Sequence, residues 1–256
     1  MKSFLSKALF GATMLLLAGG ADLLGADAAP GSGNSLRVGV APVSPPMIFK
    51  EGGKIVGMEA DFAQALGREL GRPVQFVELA WEDLIDALAA DKIDIIMSSM
   101  SVTRAREFRV AFSDPYLRIG QMALVRANDT YKMLGSSLAD RTIGVKKATT
   151  GDLLVQKEFP RAKRKYFKSG DEAALALSKG KIDLFMDDSS MIWYLAGTYE
   201  AKGLTASPLV FSNEVLAWGM KRSDAQLLES VNAFLKKYQA AGELARTVRR
   251  WIPKFQ

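Results

Sequence analysis

Apolar residues follow two rhythms along this chain. Short apolar runs bounded by turn residues, such as RVGV at 37–40 and TIGV at 142–145, predict buried strands. Stretches with apolar positions three and four apart predict helices. Residues 59–70 set Phe62, Leu66 and Leu70 on one face behind acidic Glu59 and Asp61, a charge bias suited to a helix start. A strand over 74–79 and a helix over 81–90 follow. The same order then returns, with a helix over 150–158, a strand over 163–167 and a helix over 171–178.

The return is written in the residues themselves. LAADKIDIIMSS at 88–99 and LSKGKIDLFMDD at 177–188 align without a gap. Each carries a leucine at a helix end, a polar turn, Lys-Ile-Asp, two apolar residues, a methionine and a polar pair. A doubled β-α-β-α-β unit predicts an α/β fold of two lobes, each a mainly parallel sheet flanked by helices. The first lobe is expected over 33–121, with a crossing near 122–126, a second lobe over 122–213 and a return to the first lobe over 214–256. Two final helices, 224–237 and 241–251, carry Leu227, Val231, Phe234 and Leu235 in one stripe and Leu244, Val248 and Trp251 in another, as packing faces do. Ligands in such sheets sit beyond the carboxyl ends of the strands. That places Ser98 to Ser101 and the pair Asp187 and Asp188 at two edges that face each other if the lobes do.

Composition narrows the chemistry. The 256 residues include no histidine and no cysteine, which removes Ser-His-Asp triads, thiolate nucleophiles, disulfides and imidazole or thiolate metal sites. Nothing implies a cofactor. Lys+Arg 34 against Asp+Glu 28 gives a net charge of +6, but the basic residues are scattered. Their densest cluster, at 161–165, holds no aromatic residue, so no nucleic-acid partner is expected. Lys2 and Lys7, the apolar stretch that follows, and small residues at 26–28 read as an export leader over 1–28. With no cysteine to take a lipid, the mature chain is expected to be periplasmic and not lipid-anchored, and to act as a monomer.

From about residue 36 to 255 the chain resembles the periplasmic solute-binding proteins of polar amino acid ABC transporters, the bacterial extracellular solute-binding proteins of family 3. The resemblance rests on RVGV with a Pro-rich turn at 37–46, GMEADFAQALGREL at 57–70, WEDLIDAL at 81–88, SSMSVTRAR at 98–106, FSDPY at 112–116, IGVKKATT at 143–150 and KIDLFMDD at 181–188. It implies two lobes joined by a two-strand hinge that close on an amino acid and present it to a membrane permease. A zwitterion needs a planar donor for its carboxylate and an acid for its ammonium. The resemblance implies Arg106 as the fork, with Ser99, Ser101, Thr149 and Thr150 as further donors, Asp188 as the acid and Trp81 as a stacking face. Asp114 to Tyr116 reads as a structural turn, and Arg104 and Arg109 as solvated.

Two departures bear on the ligand. Where many relatives carry an aspartate and then an aromatic residue in the first loop, this chain has Ala41 and Ser44. A basic side chain on the ligand is therefore less expected than a polar or acidic one. Lys146 falls where it can reach the ligand's side chain, and Asp187 stands ready to neutralise it. Two alternatives share the scaffold: a periplasmic dehydratase of the prephenate or arogenate type, which would look to Asp187 or Lys146 for a general acid, and a ligand-sensing subunit of a membrane receptor. The Met186-Asp-Asp-Ser-Ser190 run lacks the Thr-Asp-Ala-Ile-Glu pattern of the dehydratases, which speaks against the first.

Overall fold

The computed structural model describes residues 34–132 and 138–252. The expected leader at 1–28 lies outside the described residues, as do the ends of the first-lobe and return segments at 33 and 253–256. The architecture has two lobes, each built on a five-stranded sheet.

In the first lobe β1 (Leu36–Val40) lies between β5 (Val74–Glu78) and β6 (Ile95–Ile96), parallel to both. Beyond β6 come β15 (Gly219–Met220), antiparallel to it, and β7 (Ala111–Phe112). A small antiparallel sheet of β2 (Val43–Ser44), β3 (Ile48–Glu51) and β4 (Lys54–Val56) leads into helix α1 (Met58–Leu70). Helix α2 (Leu84–Ala89) follows a single 3-10 turn at Trp81–Asp83. The second lobe has the strand order β11 (Lys163–Tyr166), β10 (Thr142–Val145), β12 (Leu184–Asp188), β9 (Gln121–Arg126) and β13 (Leu204–Val210). Its first three strands pair parallel, β9 runs against them, and β13, antiparallel to β9, runs in their direction again. Each sheet is thus mainly parallel, with a single reversed strand, β15 in the first and β9 in the second, where a chain segment that has just crossed between the lobes enters against the grain of the β-α-β unit.

Those crossings also move the expected hinge. Residues 122–126 are hydrogen-bonded into the second sheet as β9, so the chain crosses just ahead of them, at the end of β8 (Leu117–Ile119). It returns into β14 (Glu214–Leu216), which pairs antiparallel with β8. The two connecting strands therefore form a two-stranded ribbon of their own.

The sequence repeat has a physical meaning in both sheets. A Cβ on Gly39 would lie 2.3 Å from Ile93 Cδ1, and one on Gly144 would lie 2.7 Å from Ile182 Cδ1. The isoleucine of each Lys-Ile-Asp thus packs onto the bare backbone of its neighbouring strand. The aspartate then pins the start of that strand: Asp94 accepts the Arg37 amide at 2.9 Å, and Asp183 the Thr142 amide at 2.8 Å. One short motif sets register and packing twice.

Helices α7 (Ala225–Ala240) and α8 (Glu243–Trp251) complete the first lobe. Their buried stripe joins Phe62, Tyr116 and Trp218 in an aromatic core in which Trp218 stacks on Tyr116 and on Phe234. They act in packing, as their stripes predicted.

Candidate functional site

On the first lobe the site begins where β6 ends. The Ser98 hydroxyl accepts the Ala41 amide at 2.9 Å, tying the serine run to the loop after β1. Ser99 follows at φ 55, a left-handed conformation uncommon for a residue with a Cβ. Arg106 sits in a single helical turn, α3 (Arg104–Glu107), capped by Thr103, whose hydroxyl accepts the Arg106 amide. The cap turns the arginine inward. Its Nη1 donates to the Ser101 carbonyl at 2.8 Å, and its guanidinium lies 5.2 Å from the Trp81 ring centre. Burial lowers the Arg106 pKa, while Asp188 and Glu214 favour the charged form. By contrast, Arg104 is exposed, and Arg109 pairs with Asp86 at the surface.

On the second lobe, Asp187 and Asp188 end β12. Asp188 accepts a 2.6 Å hydrogen bond from Gln121 Nε2, which also donates to the Thr150 hydroxyl at 3.1 Å. Burial and the charges of Asp187 and Glu214 push the Asp188 pKa up to about 7, against the pull of Lys146 and the Gln121 hydrogen bond. Lys146 is held 3.1 Å from Asp187, both side chains largely buried. Neutralisation of Lys146 by Asp187 is thus realised. Thr149 and Thr150 open helix α4 (Thr150–Glu158). Thr149 donates to the Lys146 carbonyl and accepts from the Asp152 amide, so its hydroxyl proton is committed to the turn and not to a ligand. Thr150 accepts from Gln121 and keeps its own proton to give.

The two lobes touch across the cleft. Trp81 Nε1 and Arg106 Nη2 both donate to the Ala148 carbonyl, at 3.2 and 3.3 Å, and Lys146 Nζ donates to the Ser44 hydroxyl at 3.0 Å. Between them lies a cavity of about 580 Å³. All ten residues expected from the sequence line it: Ser44, Trp81, Ser99, Ser101 and Arg106 from one lobe, Lys146, Thr149, Thr150, Asp187 and Asp188 from the other. Ser99 differs from expectation, since its backbone amide and, at 3.4 Å, its hydroxyl both donate to Glu59 rather than into the cleft.

Sequence reasoning missed Gln121, Glu59 and the Ala148 carbonyl. Gln121 reads as the polar first residue of an apolar strand, and nothing local marks it as the partner of Asp188. Gly151 was the available hint: a Cβ there would lie 2.7 Å from Gln121 Oε1, so the start of α4 needs glycine to pack against this side chain.

The two-lobed fold is one that solved structures share. A variant of ArgBP from T. maritima has a TM-score of 0.82 with 31% identity, covering 86% of this chain and 96% of that one. The ancestral amino acid-binding protein AncCDT-1, a precursor of cyclohexadienyl dehydratase, has a TM-score of 0.78 with 32% identity, covering 85% and 95%. In sequence, the ABC transporter glutamine-binding protein GlnH of Bacillus subtilis (strain 168) is 27% identical over 203 residues, 78% of this chain and 74% of the relative. Residues 36–254 match the bacterial extracellular solute-binding proteins, family 3, and the chain belongs to that family.

Proposed function

We propose that this protein captures an amino acid outside the cytoplasm, between its two lobes, and delivers it to the permease of an ABC transporter. The observation that carries the reading is the meeting of Arg106 and Asp188 on one cavity from opposite lobes. A zwitterion satisfies both, and neither lobe alone can hold it. Arg106 takes the carboxylate with the hydroxyls of Ser101 and Thr150, Asp188 takes the ammonium, and Trp81 covers the ligand. The ligand favours the closed lobes by as much as it binds them better than the open ones, and closure is what a permease reads. The leader at 1–28 would carry the chain to the periplasm.

The side chain selected is polar or acidic rather than basic. Asp187 is engaged by Lys146 and Asp188 is reserved for the ammonium, which leaves only Glu82, exposed at the rim, to meet a cation. Lys147 and Lys168 line the same cavity and raise its positive potential. The dehydratase reading draws support from the likeness to AncCDT-1. It is the weaker one, because Asp187 and Lys146, the candidate acids, are ion-paired with each other.

A thermal-shift screen of the mature chain, stripped of ligand by unfolding and refolding, tests the reading. The probes are glutamine, glutamate, asparagine, arginine, lysine, histidine and prephenate. A ligand at a hundredfold excess over its Kd adds about 2.7 kcal/mol, about 5–10 °C for a chain of this size. Glutamine or glutamate should give that shift. A larger shift with arginine would reverse the side-chain assignment, and turnover of prephenate would make the protein an enzyme.

Lys146→Met supplies a second test. It leaves Asp187 buried without its cation, so lysine or arginine should gain about tenfold or more in affinity relative to glutamine. An unchanged preference order would mean that the Lys146–Asp187 pair does not set selectivity.

A further inference from the structure

Glu59 stands in the first turn of α1, where an acid ordinarily faces water, yet none of it is exposed. One carboxylate oxygen accepts from the Tyr116 hydroxyl at 2.5 Å. The other accepts from the Ser99 amide and, at 3.4 Å, from the Ser99 hydroxyl. Tyr116 is itself clamped, stacked on Trp218 at 5.3 Å and edge-on to Phe62 at 5.7 Å. The Trp218 indole also favours the charged carboxylate, although its N–H falls short of hydrogen-bond geometry.

A carboxylate is a poor choice for filling an aromatic core. Burial pushes the Glu59 pKa up to about 7, so the fold opposes its charge at neutral pH. A group that strains the core and yet bonds the cavity-lining turn points to a role in that turn. Ser99 needs holding, because its left-handed backbone is one that a residue with a Cβ adopts reluctantly. Two residues on, the Ser101 carbonyl anchors Arg106. The turn therefore links the buried acid to the guanidinium.

We propose that Glu59 is a positioning residue of the binding site: from inside the first lobe it fixes the Ser99 turn, and through Ser101 the Arg106 guanidinium, in the geometry that receives an anion. The inference rests on the binding-site reading above. Of the charged groups around Glu59, Asp61 on its own helix is engaged by Arg250 and Trp251, and Asp188 acts on Tyr116 from the cleft side. The 98–101 turn brings no charge. A proton on Glu59 converts the charge-assisted bond to Ser99 into a weaker neutral one.

The Ser99 amide proton resonance reports this bond in the ligand-free mature chain. In the wild type it should move downfield with a midpoint near pH 7 as Glu59 ionises. In Glu59→Gln it should stay upfield and flat. The same variant should bind glutamine or glutamate, whichever gives the larger thermal shift, about tenfold or more weakly at pH 8, with an unchanged or higher Tm when ligand-free. A lower Tm with unchanged affinity and an unmoved Ser99 resonance would reduce Glu59 to a core residue and overturn the proposal. If Glu59→Gln does not fold, Tyr116→Phe serves. It removes a donor that favours the charged form, so the Ser99 midpoint should rise by about half a pH unit or more, and a fixed midpoint would overturn the proposal. Should no amino acid bind, the Ser99 titration still reports on Glu59. Should amino acids bind while Ser99 does not titrate, the Glu59 proposal fails and the binding reading stands.

Discussion

Arg106→Ala is expected to weaken amino acid binding by about 150- to 5,000-fold while the ligand-free protein melts within a few degrees of the wild type. The magnitude follows from what is lost. Removing one partner of a desolvated, hydrogen-bonded charge pair costs about 3–5 kcal/mol, most of it from leaving the other charge buried and unpaired. Here the stranded charge would be the ligand carboxylate, left with hydroxyl donors alone. The fold should survive because Arg106 closes a single helical turn at the lobe edge and its own burial already disfavours its charge. What the protein loses besides is a bond to Ser101, one to Ala148 and the contact with Trp81.

Arg106→Lys separates charge from shape. Lysine keeps the charge but not the planar fork or its fit over Trp81, so it should recover only part of the affinity. Calorimetric titration of both variants with the amino acid selected in the screen, alongside melting curves, provides the check. Full affinity in Arg106→Ala, with the fold intact, would remove the arginine from the site.

How much of this site could be read in the sequence depends on how locally each residue's role is encoded. The Lys-Ile-Asp repeat was legible because the same contiguous run recurs in each lobe, although the partners its aspartates meet, the Arg37 and Thr142 amides, lie 57 and 41 residues away. Arg106 was legible because it closes the contiguous run SSMSVTRAR at 98–106, one of the motifs that carry the resemblance. Gln121 and Glu59 were not, since their partners lie far along the chain: Gln121 meets Asp188 across 67 residues, and Glu59 meets Ser99 across 40. Helical periodicity placed Glu59 correctly at the start of α1 but gave no sign of its burial, because an acid in a first turn fits the helix dipole whether it faces outward or inward. Thr149 shows the opposite error. A helix start was correctly expected there, and the capping role that comes with it engages the hydroxyl that was assigned to the ligand.

The two acids with pKa values near 7, one in each lobe, can be told apart by their opposite demands on the ligand. In the ligand-free protein Asp188 is held near 7 by burial and by its acidic neighbours Asp187 and Glu214. An ammonium group needs the carboxylate ionised, so below pH 7 an amino acid must displace a proton to bind. Its affinity should fall by up to about tenfold for each pH unit lowered and level off above 7. A deaminated acid brings no cation and leaves an ionised Asp188 buried alone. It binds the protonated form better, and its affinity should rise as the pH falls.

Asp188→Asn abolishes both Asp188-linked slopes, because asparagine carries no proton that titrates in this range. It should weaken the amino acid by about 30- to 1,000-fold and the deaminated acid far less. Any slope that remains, shared by both ligands, is assignable to Glu59 and should vanish when Glu59→Gln is added. Titrations of the selected amino acid and its deaminated counterpart from pH 5.5 to 8.5, on the wild type and both variants, decide the matter. Parallel slopes for the two ligands in the wild type would mean that Asp188 does not face the ammonium, and the cation half of the clamp would have to be sought elsewhere on the cavity wall.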